Sequence, residues 1–98
     1  MCGIFALLNN RDSYSSETVT NAFETGSKRG PDKSTYTSSE NIILGFHRLA
    51  INGLDAKSNQ PFDMDDIMLI CNGEIYNYKE LYKTFDITPT TNSDCEII

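Results

Sequence analysis

A cysteine directly behind the initiator methionine, in Met1-Cys2-Gly3-Ile4-Phe5, is an odd position for a structural residue. Loss of Met1 would leave Cys2 with a thiol and a free α-amino group on one residue. Such an amine titrates near ~7.7–8, so at neutral pH it is partly unprotonated and can serve as general base for its own side chain. Gly3 keeps the space beside the thiol open. A thiol that attacks an amide also needs donors where the tetrahedral oxyanion forms. Asn72 offers a side-chain amide and Gly73 an unobstructed backbone N–H; one such donor lowers the barrier by roughly 2.7–4 kcal/mol. For an amino-acid amide, the substrate carboxylate suits the guanidinium fork of Arg48. Its ammonium suits a carboxylate such as Glu74 or Asp94. Each residue also has a plain structural role open to it. Asn72-Gly73 is a strong turn signal, Arg48 can be a surface ion-pair partner, and Asp94 is a favourable charge at a helix start.

These residues are far apart in sequence, so the elements between them must bring them together. Ile4 to Leu8 reads as a buried strand that fixes Cys2 at a sheet end. Asn9 to Ser13 is a polar turn. Ser15 or Ser16 caps a helix whose buried stripe is Val19, Ala22, Phe23 and Gly26, and Gly30-Pro31 stops it. Thr35 to Thr37 and Ile42 to Leu49 read as a β-hairpin turning over Ser38 to Asn41. Asn52 to Pro61 is a polar loop. The carboxylates Asp63, Asp65 and Asp66 read as a solvated turn rather than a cation site. Ile67 to Cys71 is a continuous apolar run, hence a strand buried on both faces. Tyr78 to Phe85 reads as a helix with Leu81, Tyr82 and Phe85 on one side. Ile87 to Thr91 is short and β-prone. Ser93 and Glu96 form a capping box, and Ile97-Ile98 opens the apolar face of a further helix, the expectation being a chain that continues. Strand, helix, hairpin and strand in this order suggest layered sheets with a helix covering one face. Strand ends then gather Cys2, Arg48 and Asn72-Gly73.

Composition narrows the alternatives. The 98 residues carry 14 acidic and 8 basic side chains, a net charge of −6, which argues against a nucleic-acid groove or an anionic membrane surface as partner. The length suits one domain at most. Cys2, Cys71 and Cys95 are odd in number and widely spaced, and His47 is the lone histidine; neither a zinc site nor a disulfide framework is expected. A reducing compartment, hence the cytoplasm, fits best. A redox module built on the three cysteines is disfavoured because Cys71 is expected to be buried and inert. No run approaches membrane-spanning length.

Six segments stand in order: Met1-Cys2-Gly3-Ile4-Phe5, Arg29-Gly30-Pro31-Asp32, His47-Arg48-Leu49-Ala50-Ile51, Asn59-Gln60-Pro61, Asn72-Gly73-Glu74-Ile75-Tyr76-Asn77 and Ser93-Asp94-Cys95-Glu96. Together they closely resemble the N-terminal glutaminase domain of glutamine-hydrolysing asparagine synthetases, a class II, N-terminal-nucleophile glutamine amidotransferase. The resemblance implies an α+β fold, a four-layer αββα sandwich of antiparallel sheets, incomplete at the C-terminus. Residues 1–98 would be the N-terminal part of that domain, with open sheet edges and exposed apolar surface. It implies Cys2 as nucleophile with its α-amino group as base, and Asn72 and Gly73 as oxyanion hole. Arg48 would hold the glutamine α-carboxylate, Leu49, Ala50, Ile51 and Asn52 would line the pocket, and Glu74 and Asp94 would take the ammonium. Arg29 to Asp32 would shape the loop near the nucleophile. Glutamine would be hydrolysed through a thioester to glutamate and ammonia, for ATP-dependent conversion of aspartate to asparagine in the full enzyme. ATP and Mg²⁺ belong to the synthetase domain, which is absent here, so no cofactor or metal is expected in this chain. Its partners would be L-glutamine and the synthetase half. The alternative is a truncated, non-catalytic remnant that binds glutamine or a partner.

Overall fold

A computed structural model describes residues 1–98. The fold is α+β with two antiparallel sheets. The first sheet takes the order β1 (Gly3–Leu7), β3 (Ile42–Arg48), β2 (Lys33–Ser39). The hairpin β2–β3 turns at Glu40-Asn41, where Glu40 takes a positive φ of 46°. In the β1–β3 register Gly3 faces His47 and Leu7 faces Ile43. One residue further along that register, Cys2 falls opposite Arg48.

Alternation along these strands divides the sheet into two faces. Phe5, Tyr36 and His47 lie on one face, against Phe23 of α1 (Ser16–Glu24). Phe46 and Arg48 lie on the other, beneath the rest of the chain. The helix begins where the sequence places it: Ser15 Oγ accepts from Thr18 N at 3.2 Å. Its stripe is narrower than expected. Phe23 is buried and Val19 half-buried, but Ala22 is exposed, because nine residues give the helix one deep anchor. β1 also differs from the expected fully buried strand. Ile4 is 54% exposed and Ala6 exposed, while Phe5 and Leu7 are half-buried. β1 is a sheet edge, and only its α1 face is covered.

The second sheet is a two-stranded hairpin of β4 (Phe62–Met64) and β5 (Ile67–Leu69). The strand expected over Ile67 to Cys71, buried on both faces, is therefore shorter, and Ile67 is 66% exposed. Two strands with no third beside them leave β5 at an edge. Beyond it, Cys71 pairs with a side chain: Gln60 Oε1 accepts from Cys71 N at 2.6 Å and Gln60 Nε2 donates to Cys71 O at 3.2 Å. That amide imitates a strand partner without extending the ladder. The Asp63–Asp66 carboxylates form an exposed turn.

α2 (Tyr78–Thr84) buries Tyr82 and half-buries Leu81, but Phe85, expected on the same side, is 62% exposed as the helix ends. It packs on a 3₁₀ turn at Asp94–Ile97. Ile87 to Thr91 forms no strand. The capping box is also corrected. Ser93 Oγ does cap, accepting from Cys95 N at 3.3 Å, but Glu96 does not reach back to Ser93. Its Oε1 accepts from Thr90 N and Oγ1 at 2.7 and 2.5 Å, and its Oε2 from Thr91 N and Oγ1 at 2.7 and 2.6 Å. Four local donors outcompete one, and the carboxylate folds residues 90–96 into a closed knot. Burial raises the Glu96 carboxyl, but the threonine donors outweigh it and hold it below its ordinary value. No helix is long and apolar enough to cross a membrane.

Candidate active site

Cys2 is half-buried at the entrance to β1, and its sulfur rests on the backbone of one residue just past the end of the neighbouring strand. Leu49 N donates to Cys2 Sγ at 3.3 Å, and Sγ lies 3.5 Å from Leu49 O. From the other side Arg29 Nε donates to Cys2 O at 3.1 Å. The loop after α1 thus grips the backbone of Cys2 itself. Asp32 grips what faces it: Asp32 Oδ2 accepts from Ala50 N at 2.7 Å, and Asp32 N donates to Arg48 O at 3.0 Å. Between them Gly30 runs against the backbone of β3. A Cβ there would sit 2.0 Å from His47 O, so only glycine lets the loop pass.

His47 is the most deeply buried side chain, 1% exposed. Its ring stacks on Phe23 with centroids 4.1 Å apart. Nε2 lies 2.8 Å from Phe23 O, a carbonyl that only accepts, so the proton sits on Nε2. Nδ1 then accepts from Ser34 Oγ at 2.7 Å. This histidine fixes β3 to α1 and β2 on the face opposite Cys2. Sequence reading considered it only as a metal ligand; nothing in its spacing announces a role in packing.

Arg48 is 7% exposed. Its Nη1 donates to Asp55 O at 3.1 Å and Asn59 Oδ1 at 2.7 Å. Its Nη2 donates to Asn52 O at 3.1 Å and to Gly53 O. Gly53 takes a positive φ of 58°, and a Cβ there would meet Ser58 Oγ at 2.4 Å. The guanidinium is therefore the hub around which residues 52–59 wrap. Nε–H is the one guanidinium donor without a protein acceptor, and it is not sealed from solvent. Asp55 continues the wrap, binding Ser58 N, Ser58 Oγ and Asn92 Nδ2. The Asn92 hydrogen bond, aided by Ser58 and opposed by burial, holds its carboxyl below the ordinary value.

A cleft of about 80 Å³ opens between these parts. Its walls include Cys2, Arg48, Ile51, Asn52, Gly73, Glu74 and Asp94, together with Cys71 and Cys95. Most of the expected site residues therefore meet in one place. Leu49 touches Cys2 through its backbone, and Ala50 is held by Asp32. Asn72, half-buried, precedes Gly73 but does not line the cleft. Asp94 is 5% exposed; its Oδ2 accepts from Ile75 N at 2.6 Å, and Oδ1 has no protein donor. Glu74 Oε1 accepts from Asn52 Nδ2 at 3.3 Å. Beside Gly73 a Cβ would meet only Cys71 Sγ, at 3.5 Å. A larger cavity of about 280 Å³ lies on the α1 side, among Phe5, Tyr14 and Tyr36. None of the expected site residues lines it. No three His, Cys, Asp or Glu side chains converge as a metal-holding group. A half-buried thiol, a cation with one free donor and two carboxylates in one cleft suit the two charged ends of an amino acid.

Comparison with known proteins agrees in kind. Residues 1–98 match the family model described as a glutamine amidotransferase domain. The chain is 38% identical over 108 residues to a probable glutamine-hydrolysing asparagine synthetase of Acanthamoeba polyphaga mimivirus, covering 100% of this chain and 19% of that protein. It is 36% identical over 105 residues to asparagine synthetase 2 of Bacillus subtilis (strain 168), again over 100% of this chain but 14% of the relative. A probable asparagine synthetase of Dictyostelium discoideum is 39% identical over 106 residues, covering 100% and 19% respectively. The chain thus spans about a fifth or less of the length of these relatives.

Proposed function

This chain belongs to the glutamine amidotransferase domain family, and from that premise we propose that it carries the glutaminase chemistry of an asparagine synthetase-like enzyme. The observation that supports this most is the meeting of Cys2 with Arg48, Gly73, Glu74 and Asp94 in one cleft. Met1 is 75% exposed and open to removal, after which Cys2 bears its own base. The α-amino group takes the thiol proton as sulfur bonds to the carboxamide carbon. Gly73 N–H, in the cleft, receives the oxyanion, and Asn72 shares it if its amide turns into the cleft when substrate binds. As the intermediate collapses, the carbon–nitrogen bond breaks and the proton leaves with ammonia. Water then cleaves the thioester to glutamate and regenerates the thiol.

Glutamine is held at its two charged ends. Asp94 Oδ1 and Glu74 receive the ammonium. Arg48 receives the carboxylate through Nε, its other donors being committed to the 52–59 loop. Leu49, Ala50, Ile51 and Asn52 form the adjoining wall. Asp32 and Arg29 hold that wall and Cys2 in fixed relation without touching substrate.

The finer architecture is part of the same reading. Residues 1–98 are part of a four-layer αββα domain, in which the exposed Ile4–Ala6 face of β1 would be covered by a further layer. ATP and Mg²⁺ are used in a separate synthetase domain that receives the ammonia, in the cytoplasm, with no part for nucleic acid or membrane. The test is ammonia release from glutamine by the protein and its Cys2→Ala variant. Release from the parent that vanishes in the variant supports the reading. Equal release from both overturns it, and release from neither favours a remnant that only binds.

A further inference from the structure

The cleft holds two thiols for which the proposed reaction has no use. Cys71 is half-buried and lines the cleft; Cys95 is 3% exposed and lines it too. Both sulfurs flank Gly73: Cys95 Sγ lies 3.5 Å from Gly73 O, and Cys71 Sγ lies 3.5 Å from where a Gly73 Cβ would be. Both sulfurs thus lie against the same residue of the same small cleft. The sequence reading of Cys71 as a sealed strand residue is therefore corrected: the strand stops at Leu69, and Cys71 faces open space.

We propose that Cys71 and Cys95 are an oxidation-sensitive pair that closes into a disulfide inside the Cys2 cleft, with a small hydroperoxide as oxidant. Hydrogen peroxide is small enough to enter the cleft that both cysteines line. Cys71 reacts first because it is the more open of the two. Its sulfur bonds to one peroxide oxygen, the O–O bond breaks, and one water leaves, giving the sulfenic acid. Cys95 Sγ then displaces that oxygen; the S–S bond forms and the Cys95 proton leaves with the oxygen as a second water. The pair loses two electrons, which the peroxide gains. Burial, reinforced by Asp94, pushes the Cys95 thiol up to about 12, so Cys95 resists oxidation until its partner is activated. The bridge ties residues 71–75, which carry Gly73 and Glu74, to residues 93–96, which carry Asp94.

The pairing does not depend on what reaction Cys2 performs, so it is tested apart from turnover. The reduced protein is treated with hydrogen peroxide, remaining thiols are capped with iodoacetamide, and the digest is mapped by mass spectrometry. Of the three free thiols, two should be lost and recovered with dithiothreitol, in a peptide joining Cys71 to Cys95, while Cys2 carries the cap. A link through Cys2, separate oxidation of unlinked thiols, or three capped thiols would each overturn the proposal. Cys71→Ser should leave Cys95 reduced under the same treatment, and a Cys95 oxidised without its partner contradicts the order of events. The map of the parent protein decides the matter even if that variant does not fold.

Discussion

Replacing Arg48 by lysine keeps the charge and removes the fork. In the structure four Nη–H donors serve Asp55 O, Asn59 Oδ1, Asn52 O and Gly53 O from two nitrogens. A lysine ammonium presents its donors from one nitrogen and cannot span acceptors arranged around two. Losing two such charge-assisted bonds, at the low end of ~1.5 kcal/mol each because the loop is partly wet, costs about 3 kcal/mol. For a domain near this length each kcal/mol moves Tm by roughly 4–8 °C, so Arg48→Lys should melt some 12–24 °C lower. The assay is thermal unfolding by circular dichroism, run beside capture of a glutamine analogue at Cys2. Both readouts should fall, because the loop that falls apart is also the cleft wall. A variant that melts within about 2 °C of the parent, against that ~4–8 °C per kcal/mol, yet captures the analogue poorly, would refute the loop-hub reasoning. Arg48 would then serve the substrate alone.

Other perturbations probe the surrounding frame. Gly30→Ala drives a Cβ to 2.0 Å from His47 O; overpacking against backbone should cost at least ~1–3 kcal/mol, read as a lower urea midpoint and slower alkylation of Cys2. Glu96→Gln replaces an acceptor of four donors by an amide with donors of its own, an expected loss of about 1–3 kcal/mol. Because Glu96 sits below its usual value of 4.5 when folded, its stabilisation is present above that value and is lost as pH falls through the carboxylate range. The gap in Tm between parent and variant should therefore close on acidification; a gap independent of pH contradicts the assignment. Cys2→Ser should cripple ammonia release, and near-parental turnover would remove the sulfur from the mechanism.

The cleft was more legible in the sequence than the scaffold. Cys2, Gly73, Glu74 and Asp94 were found because their chemistry depends on residue type, and the ends of elements brought them together. Arg48 was legible as a cation in the site but not as the hub of a loop. Three of its four acceptors, on Asn52, Gly53 and Asp55, are backbone carbonyls, which every residue possesses. The capping box misled for a related reason: Thr90 and Thr91 offered Glu96 four donors just upstream, and spacing alone does not rank local competitors. Apolar runs told of burial and not of coverage. Ile4 and Ile67 sit on edge strands whose outer faces are bare, so continuous hydrophobicity overstated how enclosed those strands are. His47 was missed because a packing histidine has no motif; only its stack on Phe23 and its two fixed hydrogen bonds reveal it.

The most direct test of Cys2 as a nucleophile bearing its own base is the intact mass of the mature protein before and after an electrophilic glutamine analogue is added. The expected result is loss of Met1, then a single adduct that tandem fragmentation places on Cys2 and that excess glutamine prevents. Retained Met1, an adduct on Cys71 or Cys95, or labelling indifferent to glutamine would contradict it.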